Sequence, residues 1–173
     1  MKIGKNVIIG KVNFRHLDKI EIGDNVIIDD FCYFSASVKI GSNVHIGPFC
    51  SVTGGASSEF IMEDFSGLSS GCRVICSSDD FINDLTNPTV PSAYRPHCTP
   101  GKVVLERHAV LGINTLVMPN VTIHEGAASG AGALIRQDLE AWSINYGSPS
   151  QQHGFRNKEA ILQLEKAYLE ELK

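Results

Sequence analysis

Basic residues are in short supply: 15 Lys and Arg stand against 19 Asp and Glu in 173 residues, giving a net charge of −4 and a pI near 5.8. Without a basic excess there is little to neutralise a phosphate backbone, which argues against a nucleic-acid partner. Long apolar runs are also missing. None approaches the roughly 18 residues of a membrane span, and Met1-Lys2-Ile3-Gly4-Lys5 has none of the apolar stretch of a signal peptide, so a cytoplasmic protein without a membrane span is expected. No C-x-x-C pair occurs. The five cysteines (Cys32, Cys50, Cys72, Cys76, Cys98) are odd in number, and the Cys72/Cys76 spacing suits neither a redox nor a zinc pair. Free thiols in a reducing compartment follow. With 43% hydrophobic and 20% charged residues, the chain can bury one core, and its length suits one domain.

What is present is a repeat of six. Branched aliphatics, occasionally an aromatic, stand at Ile3, Ile9, Ile22, Ile28, Phe34, Ile40, Ile46 and Val52, resume at Ile61, Leu68 and Val74, and recur at Leu105, Leu111, Val117, Ile123 and, past Ser129, Ile135. Four residues after most anchors comes a small or β-branched partner, among them Val26, Cys32, Val38, Val44, Cys50, Ala56, Ala109, Thr115, Val121, Ala127 and Ala133. This period is neither helical nor strictly alternating; it suits a short strand and a corner, repeated. Three units make a triangular coil of eighteen residues, so residues eighteen apart should stack. Asn25 and Asn43 differ by eighteen, with Asn6 nineteen before and Asp64 twenty-one after, which reads as one corner held at positive φ. Cys32, Cys50 and Cys72 form a second column, offset by insertions of three and one, in which the thiols act as small hydrophobes. His45 and His108 fall at outward positions.

Two segments leave the repeat. Residues 79–102 hold four of the seven prolines and no hexad, so they form a loop ejected from the coil. Near the end, Ile161, Leu164, Tyr168 and Leu172 recur at helical spacing with charges between. The organisation expected is a parallel β-helix over residues 1–153, interrupted by the loop 79–102, with a C-terminal helix within 154–173 that caps the last coil or packs on a neighbouring subunit.

The hexads together with the run from Leu111 to Arg136, closing in Gly147-Ser148-Pro149, resemble the hexapeptide-repeat sugar acetyltransferases. That resemblance implies an all-β fold, a left-handed parallel β-helix, and a homotrimer whose acetyl-CoA cleft lies between two chains. It places pantetheine contacts at Gly112, Ile113, Gly130 and Ala131, and CoA-phosphate contacts at Arg136, Arg156 and Lys158. The chain departs from the family's pattern at Asn120 and His124, where glycine is usual, and at Ser150-Gln151, where Ala-Lys is usual. A zinc hydratase of the same fold needs a close histidine pair, and the nearest two here are His97 and His108, so no metal is expected.

Acyl transfer needs an acceptor that loses a proton and donors for the oxyanion. Where many relatives carry a histidine after the coil that precedes the loop, this chain reads Val74-Ile-Cys-Ser-Ser-Asp79-Asp80-Phe81. That tract, with Thr86-Asn-Pro-Thr-Val-Pro91, resembles a subgroup of cell-surface polysaccharide acetyltransferases. Asp79 and Asp80 are therefore candidate catalytic residues, one as base or orienter of the acceptor and the other as a ligand for sugar hydroxyls; as the start of a solvated loop they would be turn formers instead. His97 is a third candidate base, and Tyr94 and Arg95 are candidate substrate contacts. Carboxylates in place of imidazole favour an amine acceptor, which has only to shed an ammonium proton. The expected substrate is the amino group of a nucleotide-linked aminodeoxysugar used for surface polysaccharide. The alternatives are a sugar O-acetyltransferase and a noncatalytic β-helix scaffold.

Overall fold

The computed structural model describes residues 1–172. Three parallel sheets run along one axis and close a triangular prism, the left-handed β-helix. The first face stacks Lys2–Ile3, Ile20–Ile22, Ser37–Ile40, Glu59–Met62, Lys102–Leu105 and Thr122–Ile123. The second begins at Val7–Ile9, rises through Val26–Ile28, Val44–Ile46, Gly67–Leu68, Val110–Leu111 and Ala128–Ser129, and ends in Ser143–Tyr146 with the antiparallel strand Gln151–Phe155. The third runs from Asn13–Phe14 through Tyr33–Phe34, Ser51–Thr53, Arg73–Ile75 and Leu116–Val117 to Leu134–Ile135. Coils are numbered below by their first-face strand, so coil 4 starts at Glu59.

Strands this short survive because most turn an apolar side chain inward. Ile28, Phe34, Val38, Ile46, Val52, Leu105, Val117, Ile123 and Ile135 are all fully buried, and each such side chain contributes about 1.5–3 kcal/mol relative to exposure. Ile3 is 48% exposed although it occupies an anchor position.

The corner between the first and second faces is left-handed at Asn6, Asn25, Asn43, Phe65, His108, Gly126 and Trp142. The three asparagines form a ladder, Asn6 donating to Asn25 at 3.1 Å and Asn25 to Asn43 at 3.3 Å. The column then departs from the sequence expectation. Met62, not Ile61, pairs with Ile40, so Phe65 and not Asp64 takes the corner. Asp64 sits one residue earlier, where its Oδ1 accepts from the Ser42 amide at 2.7 Å. The offset is a single insertion of four at residues 54–57: Ser58 is buried where Ala36 was, and Ala56 is exposed. Two adjacent apolar residues, Ile61 and Met62, made the frame ambiguous by one residue. His108 is likewise not outward. It is 7% exposed at the corner, stacked on Phe65 at 5.2 Å.

The ejected loop is closed at its base by the antiparallel pair Ser77–Ser78 and Thr99–Pro100, and Lys102, read as loop, already pairs with Glu59. Helix α1, Lys158–Glu171, starts at Asn157, whose Oδ1 accepts from the Ala160 amide at 3.0 Å. Lys173, which the sequence assigns to this helix, lies outside the described residues. The helix docks on its own chain along the first corner: Tyr168 Oη donates to Asn43 Oδ1 at 2.9 Å, and Glu165 receives Arg107 and His108. Leu164 and Leu172, expected on the buried stripe, are 72% and 60% exposed. The corner presents polar and aromatic groups to the helix, so Glu165 and Tyr168 face it in their stead. No helix among the described residues is long and apolar enough to cross a membrane.

Candidate active site

The two remaining corners hold most of the residues singled out from the sequence. At the corner between the second and third faces, Leu111-Gly112-Ile113 stacks on Ser129-Gly130-Ala131, so the structure brings together the four residues expected to hold pantetheine. The glycines permit the close approach: a Cβ on Gly112 would stand 2.7 Å from the Gly130 carbonyl carbon. Beneath them a chain of buried hydrogen bonds fixes the backbone. The Gly112 amide donates to Ser129 Oγ at 3.1 Å, Ser129 and Thr115 hydroxyls meet at 3.0 Å, and Thr115 Oγ1 donates to the Gly130 carbonyl at 3.2 Å. The amides of Ser70, Ile113 and Ala131, in register on coils 4, 5 and 6, have no acceptor among the described residues. Ser69, Ser70 and Ile113 line a groove of about 550 Å³ on the second face, with His45, Gly67 and Val110. His45 Nε2 lies 2.8 Å from Asp29 Oδ2.

The loop corner holds a second cleft, of about 470 Å³, lined by Arg15, Tyr33, Ser77, Asp79, Arg95 and Cys98 among others. Arg95 Nη1 donates to Asp79 Oδ1 at 3.1 Å, and the two side chains are 19% and 23% exposed. Asp79 Oδ1 is thereby engaged, while Arg95 Nε is buried with no partner among the described residues. Arg15 Nη1 donates to the Tyr33 hydroxyl at 3.2 Å on the same wall.

Asp80 does not join this cleft. Its Oδ1 accepts from the Ile82 and Asn83 amides and its Oδ2 from Asn83 Nδ2 at 2.7 Å, so the carboxylate shapes the loop, and these bonds, that from the Asn83 side chain first, hold it below the usual carboxylate range. His97 is 59% exposed and lies outside the cleft lining; its Nδ1 is 2.7 Å from Oδ1 of Asp84, a carboxylate wholly buried that also accepts the His97 amide. The hydrogen bond to Asp84 raises the His97 pKa. Tyr94 is 60% exposed on the loop, away from the cleft lining, with its carbonyl accepting from the Leu85 amide.

The three basic candidates part ways. Arg156 Nη1 donates to the carbonyls of His108 and Gly126 at 2.7 and 2.8 Å, which commits it to the helix-covered corner, not to a ligand. Lys158 Nζ stands 5.4 Å over the Trp142 ring. Arg136 is exposed beside Asp138, Glu140 and Gln151.

Sequence reading missed Asp84, Arg15 and Tyr33. Arg15 meets Tyr33 only diagonally, because the third face pairs Asn13 with Tyr33, so the eighteen-residue rule does not give the contact; Asp84 meets His97 only through the fold of the loop, and no spacing signals it.

Residues 19–54 match the bacterial transferase hexapeptide (six repeats) family. Over 171 residues, 96% of this chain and 87% of the relative, the sequence is 36% identical to dTDP-4-amino-4,6-dideoxy-D-glucose acyltransferase of Escherichia coli. It is 32% identical to the chloramphenicol acetyltransferase of Klebsiella aerogenes over 69% of this chain and 56% of that one. The crystal structure of AntD, an N-acyltransferase from Bacillus cereus in complex with dTDP and 3-hydroxybutyryl-CoA, superposes with a TM-score of 0.89 at 37% identity, covering 98% of this chain and 89% of that one. Fold, stacked glycine corner and sequence agree: the chain belongs to the hexapeptide-repeat family of acyltransferases.

Proposed function

We propose that the protein transfers an acyl group from acyl-CoA, acetyl-CoA in the first instance, to the amino group of a nucleotide-linked 4-amino-4,6-dideoxyhexose destined for a surface polysaccharide. What carries the reading is that the likeness to the E. coli enzyme runs through 171 residues, the ejected loop included. In this reading Asp79 holds the sugar ammonium through its free oxygen, and Arg15 and Arg95 face the diphosphate. The ammonium loses one proton to solvent or carboxylate; the amine nitrogen then attacks the thioester carbon, the C–S bond breaks, and the departing thiolate takes the second proton. The unpaired amides at Gly112-Ile113 and Gly130-Ala131 suit the carbonyls of the pantetheine arm, and exposed Arg136 and Lys158 remain for the CoA phosphates.

Association into a homotrimer is part of the proposal. The groove with Ile113 and the cleft with Asp79 share no residue, and Phe81 and Ile82 on the loop are 81% and 89% exposed, an apolar surface that a second copy would cover. Five free thiols, four of them buried, suit a cytoplasmic protein. A second reading, sugar O-acetylation, rests on the His97–Asp84 pair, an imidazole oriented as a base for a hydroxyl would be. Thiol release from acetyl-CoA, measured with dTDP-4-amino-4,6-dideoxyglucose and with the 4-hydroxy sugar nucleotide, separates them. Stoichiometric release and an N-acetyl product by mass are expected with the amine; release with the hydroxyl sugar alone would replace the first reading by the second.

A further inference from the structure

The buried cysteines are placed to do more than fill space. Cys32 Sγ donates to the Gly47 carbonyl at 3.3 Å, Cys50 Sγ to Ser69 at 3.2 Å, Cys72 Sγ to Gly112 at 3.2 Å, and Thr115 Oγ1 to Gly130 at 3.2 Å. The four acceptors stack in register up one corner. In a trans peptide the C=O and the following N–H point opposite ways. A carbonyl drawn inward to a thiol or hydroxyl therefore turns the next amide outward, and these are the amides of Ser70, Ile113 and Ala131, for which the described residues supply no acceptor. At Gly47 the next residue is Pro48, which has no N–H, so the series stops at coil 4, the coil from which the loop leaves.

We infer that Cys50, Cys72 and Thr115 are positioning residues, each fixing one peptide plane so that Ser70, Ile113 and Ala131 present a ladder of three N–H donors to the acyl-CoA arm. The inference rests on the acyl-CoA reading above. An acylated pantetheine arm offers three carbonyl oxygens, two amide and one thioester, separated by four or five bonds, which matches the spacing of about 5 Å between stacked strands. The lowest rung, Ser70, stands at the coil that carries Asp79, where the thioester must meet the acceptor; the upper two fall to the amides of the arm.

Two kinds of variant test this by steady-state kinetics against acyl-CoA. Ser70→Pro removes one donor in a backbone setting that already accepts Pro48 one coil below, and is expected to lower kcat at least tenfold. Thr115→Val and Cys72→Ala free the carbonyl and are expected to raise KM for acyl-CoA about three- to tenfold, with Thr115→Ser and Cys72→Ser restoring it. Cys32→Ala, which faces the rung without a donor, is the control and should alter melting only. Equal kcat and KM in folded Ser70→Pro and Thr115→Val overturn the inference, as does failure of the serine variants to restore KM. Should Thr115→Val not fold, Ser70→Pro and Cys72→Ala decide the question. Absence of thiol release from wild-type protein with any acyl-CoA would remove the acyltransferase reading itself, a result distinct from variants that match an active wild type.

Discussion

Arg156 separates a structural from a ligand role more sharply than any other residue. By resemblance it belongs with the CoA phosphates; in the structure its guanidinium spends two N–H groups of Nη1 on the carbonyls of His108 and Gly126 at 2.7 and 2.8 Å. Those carbonyls lie on the left-handed corner that α1 covers, and half-burial of the guanidinium lowers its pKa from the ordinary arginine value. A hydrogen bond from a charged donor contributes about 1.5–3 kcal/mol. Two such bonds at a half-buried site, taken near the lower end, give a loss of about 3–4 kcal/mol for Arg156→Met, whose apolar stem retains the packing of the arginine stem. For a chain of this size each kcal/mol moves the melting temperature by about 2–4 °C, so a fall of about 6–16 °C is expected. Calorimetric titration with CoA should give the wild-type affinity within about threefold. A melting temperature within 2 °C of wild type, roughly the smallest shift that 1 kcal/mol would give, combined with tenfold weaker CoA binding, would refute the structural assignment and return Arg156 to the phosphate site.

Asp84→Asn tests the imidazole. The Asp84 hydrogen bond raises the His97 pKa above 6.5, so if His97 is the base its neutral form is gained only at higher pH, and removing the carboxylate should move the acid limb of kcat/KM to lower pH; a stationary limb excludes His97 as the base. The linked stability has the opposite sense, full below the unfolded pKa and lost as pH rises through the folded one, so a melting profile that gains from the pair above pH 8 would contradict it. Four thiols are buried and only Cys98 is partly exposed, and burial pushes the Cys76 thiol up to about 12, so native protein at pH 8 should take up iodoacetamide at Cys98 alone, and Cys98→Ser should keep most of its turnover; labelling of Cys76 or complete loss of activity would show otherwise. Gly126→Ala combines φ +70° with a Cβ 2.4 Å from the Trp142 ring; a loss of at least about 2 kcal/mol by urea unfolding is expected, and an unchanged midpoint would mean that Trp142 can leave the corner freely.

The repeat was legible because its physics is local and periodic: Ile28, Ile46 and Val52 announce inward positions by spacing alone, and the asparagines announce a corner because few residues tolerate positive φ. Phe65 and His108 hide the same corner. Their left-handed conformation is sustained by stacking on each other and by α1, contacts that no spacing rule contains. The frame slipped at Ile61 because both it and Met62 are apolar, and burial of one over the other is decided by the insertion at 54–57. Gly112, Ile113, Gly130 and Ala131 could be placed together at one corner from the sequence because the repeat spacing alone stacks them. The backbone partners of Asp80 and Arg156 were not legible, because charge advertises a ligand equally well whether the partner is a substrate or a backbone amide or carbonyl.

The three corners of the prism differ, and under the proposed function their separation calls for more than one copy of the chain. One is covered by α1, one turns amides outward, and one ejects the loop with Asp79. A face of about six residues at roughly 3.3 Å each sets donor and acceptor corners of one chain up to about 20 Å apart. Nucleophile and thioester carbon must come within about 3–3.5 Å. Rotational association that seats the loop corner of one copy against the amide corner of the next meets this requirement, and a three-fold arrangement does so at every site without leaving an unused edge. Mixing supplies the test. Asp79→Asn and Ser70→Pro, each strongly impaired alone, should recover activity above their own residual level when co-expressed, because a site formed from the intact corner of each is then present. With random three-fold mixing in equal amounts, about one quarter of sites carry both intact corners. Recovery near that fraction is expected; none at all, from mixed oligomers confirmed by mass, would place both halves of the site on one chain.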